Sequence, residues 1–253
     1  MTTHAWVTQG DQTRPDAVVD ECAVALEYNG ISHAVMMATP RDLADFATGF
    51  SLSEGIVDNR EQIYQIDIDR CDRGVTVAIE VAGAAFDRIK RRRRQMTGRS
   101  GCGLCGTESL AEAIRPIQKV SPVSVSADAI EVAISHLREH QVDGQATGAS
   151  HVAAWAEADG RIVLAREDVG RHNALDKLIG AGAGAGAGFA LISSRASYEM
   201  VHKACAAGIG ALVAVSAPTS LAIDIAADAG LTLIGFARPG RYQTYGTLLR
   251  SAQ

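Results

Sequence analysis

The sequence predicts an α/β protein, α+β taken as a whole, built as two lobes with a cysteine-bearing loop between them. Three observations predict it. Before residue 95, two pairs of alternating segments are interleaved with two helical stretches. After Pro122, short apolar segments alternate with helical ones, the pattern of a layered domain with parallel strands. Between the halves lies a glycine-rich segment carrying two cysteines three positions apart. The expected division is 1–95 for an N-terminal α+β lobe, 96–120 for a flexible cysteine loop and linker, and 121–253 for the second lobe.

Residues 1–15 read as a loose tail. Glu21–Tyr28 and His33–Met37 read as strands around Asn29-Gly30, a strong hairpin dipeptide. Thr39-Pro40-Arg41-Asp42 then opens a helix, with Thr39 as N-cap, Pro40 at the first helical position and Asp42 in the favourable first turn. Leu43, Phe46, Ala47 and Phe50 fall on one face, and the helix ends near Gly55. Gln62–Asp69 and Val75–Val81 alternate as two strands around Asp72-Arg73-Gly74. Ala82–Arg94 is helical and closes on five consecutive cations, Lys90–Arg94.

In the second half, Ala127–His140 is an amphipathic helix. His151–Glu157 and Ile162–Arg166 pair as a hairpin across Asp159-Gly160. Helices are expected at Asn173–Leu178, Tyr198–Ala207 and Thr219–Ala227, and strands at Phe189–Ser193, Leu212–Ser216 and Thr232–Phe236. The alternating Gly-Ala run Gly180–Gly188 reads as a flexible surface linker.

The chain has 253 residues, 47% hydrophobic with 25 glycines, enough for one large or two small domains. A formal net charge of -5 argues against an electrostatic nucleic-acid binder. Met1–Arg14 lacks the basic start and apolar run of a secretory leader, and no apolar stretch is long and unbroken enough to span a bilayer. A cytoplasmic protein with no membrane or nucleic-acid partner is the expectation. The 5 cysteines are odd in number and unevenly spaced, which suits a reducing compartment. Cys22, Cys71 and Cys205 read as small apolar residues.

Ser100-Gly101-Cys102-Gly103-Leu104-Cys105-Gly106 is the sharpest local feature. Glycines on both sides let the backbone take unusual angles and leave the sulfurs uncovered. Half a zinc site, a dithiol redox pair, a structural turn and a nucleophilic or sulfur-carrying cysteine all compete for it. A structural zinc site needs a second close pair of ligands, and none is present. A redox pair opens a helix after a strand, whereas this pair follows an arginine run. Nearby cations, Arg91–Arg94 and Arg99, stabilise the reactive thiolate, which favours the last reading.

Polar loops recur where strands hand over to helices. Arg166–Lys177 opens with eight residues, Arg166–Asn173, that hold two arginines, two acids, a histidine and an asparagine, Arg171 and His172 among them. Ser193-Ser194-Arg195 follows the next strand, Ala217-Pro218-Thr219-Ser220 the one after, and Phe236-Ala237-Arg238-Pro239-Gly240-Arg241 the last. Hydroxyls and cations at helix starts suit a phosphate, although each loop alone could be a cap or an exposed turn. Four such loops at strand carboxyl ends imply a shared pocket for an anionic, nucleotide-like ligand. His151 is a lesser candidate.

Taken in order, these motifs resemble the FdhD family, sulfur carriers required for formate dehydrogenase activity. The resemblance rests on Pro40–Phe50 with Glu54-Gly55-Ile56, Gly101–Gly106, Glu167–Ala174 with Asp176-Lys177, Ser193–Arg195, Ala217–Ser220 and Phe236–Arg241, and it covers nearly the whole chain. It implies a sulfurtransferase that takes sulfur from a cysteine desulfurase as a persulfide on Cys102, with Cys105 as companion. The sulfur would pass to the molybdenum cofactor, Mo-bis-molybdopterin guanine dinucleotide, before insertion into the formate dehydrogenase apoenzyme. Phe236, Ala237, Arg238, Pro239, Gly240 and Arg241 would bind that cofactor, for which a guanine nucleotide is a mimic. Ser193, Ser194, Arg195, Arg171 and His172 would complete the pocket. The second lobe would be a cytidine-deaminase-like three-layer α/β/α domain and the protein a homodimer. The deaminase zinc signature is absent, so no metal site and no zinc are expected. The rivals are a cofactor-binding chaperone that transfers no sulfur and a zinc-dependent nucleotide deaminase.

Overall fold

Apolar residues arrive in two distinct patterns, and each builds its own sheet in the computed structural model, which describes residues 2–9, 12–97, 116–184 and 186–246. In the N-terminal half, β3 (Cys22–Tyr28), β4 (Ile31–Ala38), β5 (Ile63–Cys71) and β6 (Gly74–Val81) form a four-stranded sheet in the order β4-β3-β6-β5. The outer pairs are antiparallel and β3 runs parallel to β6. One face alternates Val24, Leu26, Tyr28 with Val75, Val77, Ile79, and it packs on Leu43, Phe46 and Phe50 of α1 (Leu43–Ser53) and Ile89 of α2 (Gly83–Thr97). Asn29 and Gly30 turn the hairpin with φ of 46° and 78°. Asn29 also bonds Val81 with both ends of its amide, tying the turn to β6.

The second sheet is six-stranded, in the order β12-β11-β10-β9-β7-β8. Its strands are β7 (His151–Glu157), β8 (Ile162–Asp168), β9 (Gly188–Ile192), β10 (Ala211–Ala214), β11 (Thr232–Arg238) and β12 (Arg241–Tyr245). The three central strands β9, β10 and β11 are parallel, and the others pair antiparallel. Helices cover both faces, which explains why β9 and β10 are apolar throughout. On one side α3 (Ala127–Leu137) lays Ile130, Ala133 and Leu137 on Phe189, Leu191 and Val213. On the other, α5 (Arg171–Gly180), α6 (Tyr198–Ala206) and α7 (Ser220–Ala229) cover Trp155, Ile192, Leu212 and Leu233. A three-layer α/β/α lobe beside a smaller α+β lobe is the observed architecture.

Four sequence expectations are corrected. The N-terminal tail is an antiparallel hairpin, β1 (Thr2–Gln9) and β2 (Gln12–Val19), lying against a short helix α4 (Val142–Thr147). Thr39 does not cap α1. Asp42 takes that place in a left-handed conformation, because Thr39 is buried and engaged elsewhere. β12 and α4 are elements the sequence reading lacked. The Gly-Ala run is no free linker at its described positions: Gly180 and Gly188 are buried and Ala183 joins the core.

The two lobes meet where α1 crosses α5, and the crossing is close because both helices present glycine. A Cβ on Gly49 would fall 1.7 Å from the Asp176 carbonyl oxygen, and one on Gly180 would fall 1.8 Å from that of Asp45. Gly49→Ala should therefore destabilise the chain by about 3 kcal/mol, the upper range for overpacking. A denaturant midpoint equal to that of the parent chain would contradict this.

Candidate functional site

Strand direction gathers the polar loops on one edge of the second sheet. β9, β10 and β11 end there, at Ile192, Ala214 and Arg238. β7 is antiparallel, so it begins there, and His151 pairs with Asp168 at the end of β8. The loops after β9 and β10 are stitched together by a bridge between Ala196 and Pro218. Ser193 Oγ accepts the Val152 N–H at 3.0 Å and lies 3.5 Å from His151 Nδ1.

A cavity of about 410 Å³ opens at this edge, within the range of ligand pockets. Ser193, Val215, Ala237, Arg238 and Pro239 form one side, and Arg138, Gln141, Gly144 and Gln145 form the other. Pro239-Gly240 is a tight turn with φ of 70° at Gly240, and it places Arg238 directly opposite Arg241, both exposed. Glu131 accepts the Gly240 N–H at 2.7 Å and holds the turn against α3. Phe236 sits in a register shift of β11 with φ of 51°, its N–H bound to the Ser216 carbonyl.

The predicted residues separate here. Ser193, Ala237, Arg238 and Pro239 line the cavity. Phe236, Gly240 and Arg241 flank these residues in sequence without lining the cavity. Ser194 is buried, its hydroxyl on the Arg195 carbonyl, and Arg195 is exposed outside the lining. Arg171 and His172 stand half-buried at the start of α5, with Arg171 Nε and His172 Nε2 buried and without a hydrogen bond. Cys102 and Cys105 lie outside the described residues. Of the other cysteines, Cys205 is fully buried with its thiol pushed up to about 12 by that burial, whereas Cys71 is exposed, against expectation.

The segment around Arg171 has a second job. Asp168 Oδ2 accepts from the Thr39 N–H at 3.0 Å, the Thr39 hydroxyl at 2.9 Å and Lys177 Nζ at 2.7 Å. Its Oδ1 accepts from Gly170 N–H and Asn173 Nδ2. Lys177 is wholly buried, and burial pushes its pKa down against the pull of Asp168. Next to Lys177 in sequence, Asp176 accepts from Ser53 and Lys203, and Lys203 also reaches Glu54. Burial disfavours the Lys203 charge, but Asp176 and Glu54 outweigh it and raise its pKa. Asn173, Asp176, Lys177 and Gly180 thus form one stripe of α5 turned toward the N-terminal lobe. Most of the polar cluster read as ligand-facing is lobe-joining instead.

A family model described as the FdhD/NarQ family matches residues 19–251. The chain belongs to the FdhD/NarQ family. A relative from Cupriavidus necator named sulfur carrier protein FdhD is 55% identical over 236 residues, 91% of this chain and 82% of that protein. One of the same name from Bordetella petrii is 51% identical over 234 residues, 90% and 84% of the two chains. A crystal structure from Desulfotalea psychrophila, given the provisional description formate dehydrogenase accessory protein, has a TM-score of 0.74 over 98% of this chain and 96% of that one. At 22% identity that likeness speaks to the fold. Against this family background, the cavity residues missed from sequence are Ile134, Leu137, Arg138, Gln141, Gly144, Gln145 and Val215. For Gly144 and Gln145 the signal was Gly148, a glycine placed to stop α4, where it takes a left-handed φ of 67°.

Two predictions follow from the geometry. Asp168→Ala leaves Lys177 buried without its counter-charge and should cost about 3–5 kcal/mol in chemical denaturation. Burial first, then Arg171, holds His151 and His172 below the ordinary 6.5. Unfolded chains take up those protons first as pH falls. Stability should therefore be intact above about pH 6.5, the unfolded value, and fall in the window below it. In the His151→Asn, His172→Asn double variant the denaturation midpoint should be flatter across that window.

Proposed function

We propose that this chain is a sulfur carrier for the maturation of formate dehydrogenase, loading sulfur on Cys102 and passing it to a molybdenum cofactor held at the strand-end cavity. The observation that carries the reading is the cavity itself, lined by Ser193, Arg238 and Pro239 at the carboxyl ends of parallel strands, where α/β sheets bind nucleotides. The names of the relatives from Cupriavidus necator and Bordetella petrii support the sulfur chemistry. The glycine-flanked Cys102 and Cys105, downstream of an arginine run, support the thiol.

Loading is an exchange reaction. The Cys102 thiolate attacks the outer sulfur of a cysteine desulfurase persulfide. A new S–S bond forms on Cys102, the desulfurase S–S bond breaks, and the desulfurase thiolate leaves. Arg238 and Arg241 hold phosphates of the guanine dinucleotide, which is cargo here.

Intact mass after incubation with a cysteine desulfurase and free cysteine should rise by one sulfur atom. Cys102→Ala should abolish that gain and formate dehydrogenase maturation, with the far-UV spectrum unchanged. A chaperone that transfers no sulfur would bind nucleotide and gain no mass, and that result would remove the carrier reading.

A further inference from the structure

One wall of the cavity belongs to α4, and α4 has only 6 residues. So short a helix does not hold itself in water. It is held from outside. Glu167 Oε2 accepts the Asp143 N–H at 2.9 Å, and its Oε1 accepts the Gly144 N–H at 2.9 Å and the Ser150 hydroxyl at 2.6 Å. Gly144 and Gln145 then face the cavity. The Glu167 and Asp143 side chains are buried, at 5% and 4% exposure, so two carboxylates sit together away from water. Such a pair needs a cation. Arg41 supplies it from the N-terminal lobe, pairing with Asp143 and standing 4.0 Å from Glu167. Arg41 itself follows Thr39, which is clamped by Asp168 and Lys177.

We propose that Arg41, Asp143 and Glu167 form a positioning triad through which the N-terminal lobe sets the α4 wall of the nucleotide cavity. None of the three lines the cavity. They act through Gly144 and Gln145. The N-terminal lobe thereby contributes to nucleotide affinity without touching nucleotide. This rests on the reading of the cavity as the nucleotide end of the cofactor site.

The test is GDP affinity of the full chain by calorimetry, with persulfide loading followed by mass in the same preparations. Arg41→Met and Glu167→Gln should each weaken GDP binding about tenfold, the scale of one lost charge-assisted hydrogen bond. Arg41→Lys, which keeps the charge beside Asp143, should stay within about threefold of the parent. Sulfur loading should be unchanged in all three, which a general loss of structure would not allow. Arg238→Ala separates the two readings. If it abolishes GDP binding while Arg41→Met and Glu167→Gln bind like the parent, the triad is overturned and the cavity stands. If the parent does not bind GDP, or Arg238→Ala binds equally well, the cavity reading falls and the triad with it. Failure of Arg41→Lys to rescue also overturns the triad.

Discussion

The Asp168 carboxylate is the contact on which the rest of the molecule depends. It is wholly buried, so leaving any of its lone pairs without a donor would be costly. Its donors come from three places: Thr39 at the entry to α1, Lys177 and Asn173 on α5, and Gly170 in the turn between. Satisfying one carboxylate therefore fixes the N-terminal lobe, the start of α5 and the end of β8 against one another. The glycine crossing of α1 and α5 is the packing counterpart of this polar lock. Only helices allowed to approach that closely bring Ser53 within 2.6 Å of Asp176.

Strand periodicity then gives two consecutive acids opposite tasks. Asp168 turns toward the lobe junction and Glu167 toward α4. One short piece of β8 thus connects the lobe interface with the cavity wall. Buried ionic groups are weak contributors to net stability, and their use lies in specifying one arrangement. Here the arrangement specified includes the α4 wall of the cavity.

Much of the fold was legible because periodic burial writes itself into sequence. The alternation of β3 and β6, the apolar runs of β9 and β10 and the Asn29-Gly30 turn each carry a local signal. The hairpin β1–β2 does not, since its residues are largely exposed and show no alternation between core and solvent. α4 is too short for a helical period. The Gly-Ala run misled because composition suggests flexibility, whereas Gly180 is there for a backbone approach visible only in three dimensions. For the site, the density of polar types in Glu167–Lys177 was legible and its division of labour was not. Positions 173, 176 and 177 share a helix face, but sequence does not say whether that face meets a ligand or another lobe.

What remains at the sheet edge is a pair of exposed arginines in a chain of net negative charge. Arg238 and Arg241 stand opposite each other across a two-residue turn, a like-charge pairing of the kind that weakens a strand pair. Phe236 holds a left-handed backbone that an aromatic residue rarely adopts, kept there by its bond to Ser216 and by the register shift that follows. Without that bulge, Arg238 would continue the alternation of β11 and take the opposite face. The strain at Phe236 therefore aims Arg238 into the cavity lining, and the clamp from Glu131 to Gly240 steadies the turn that carries it.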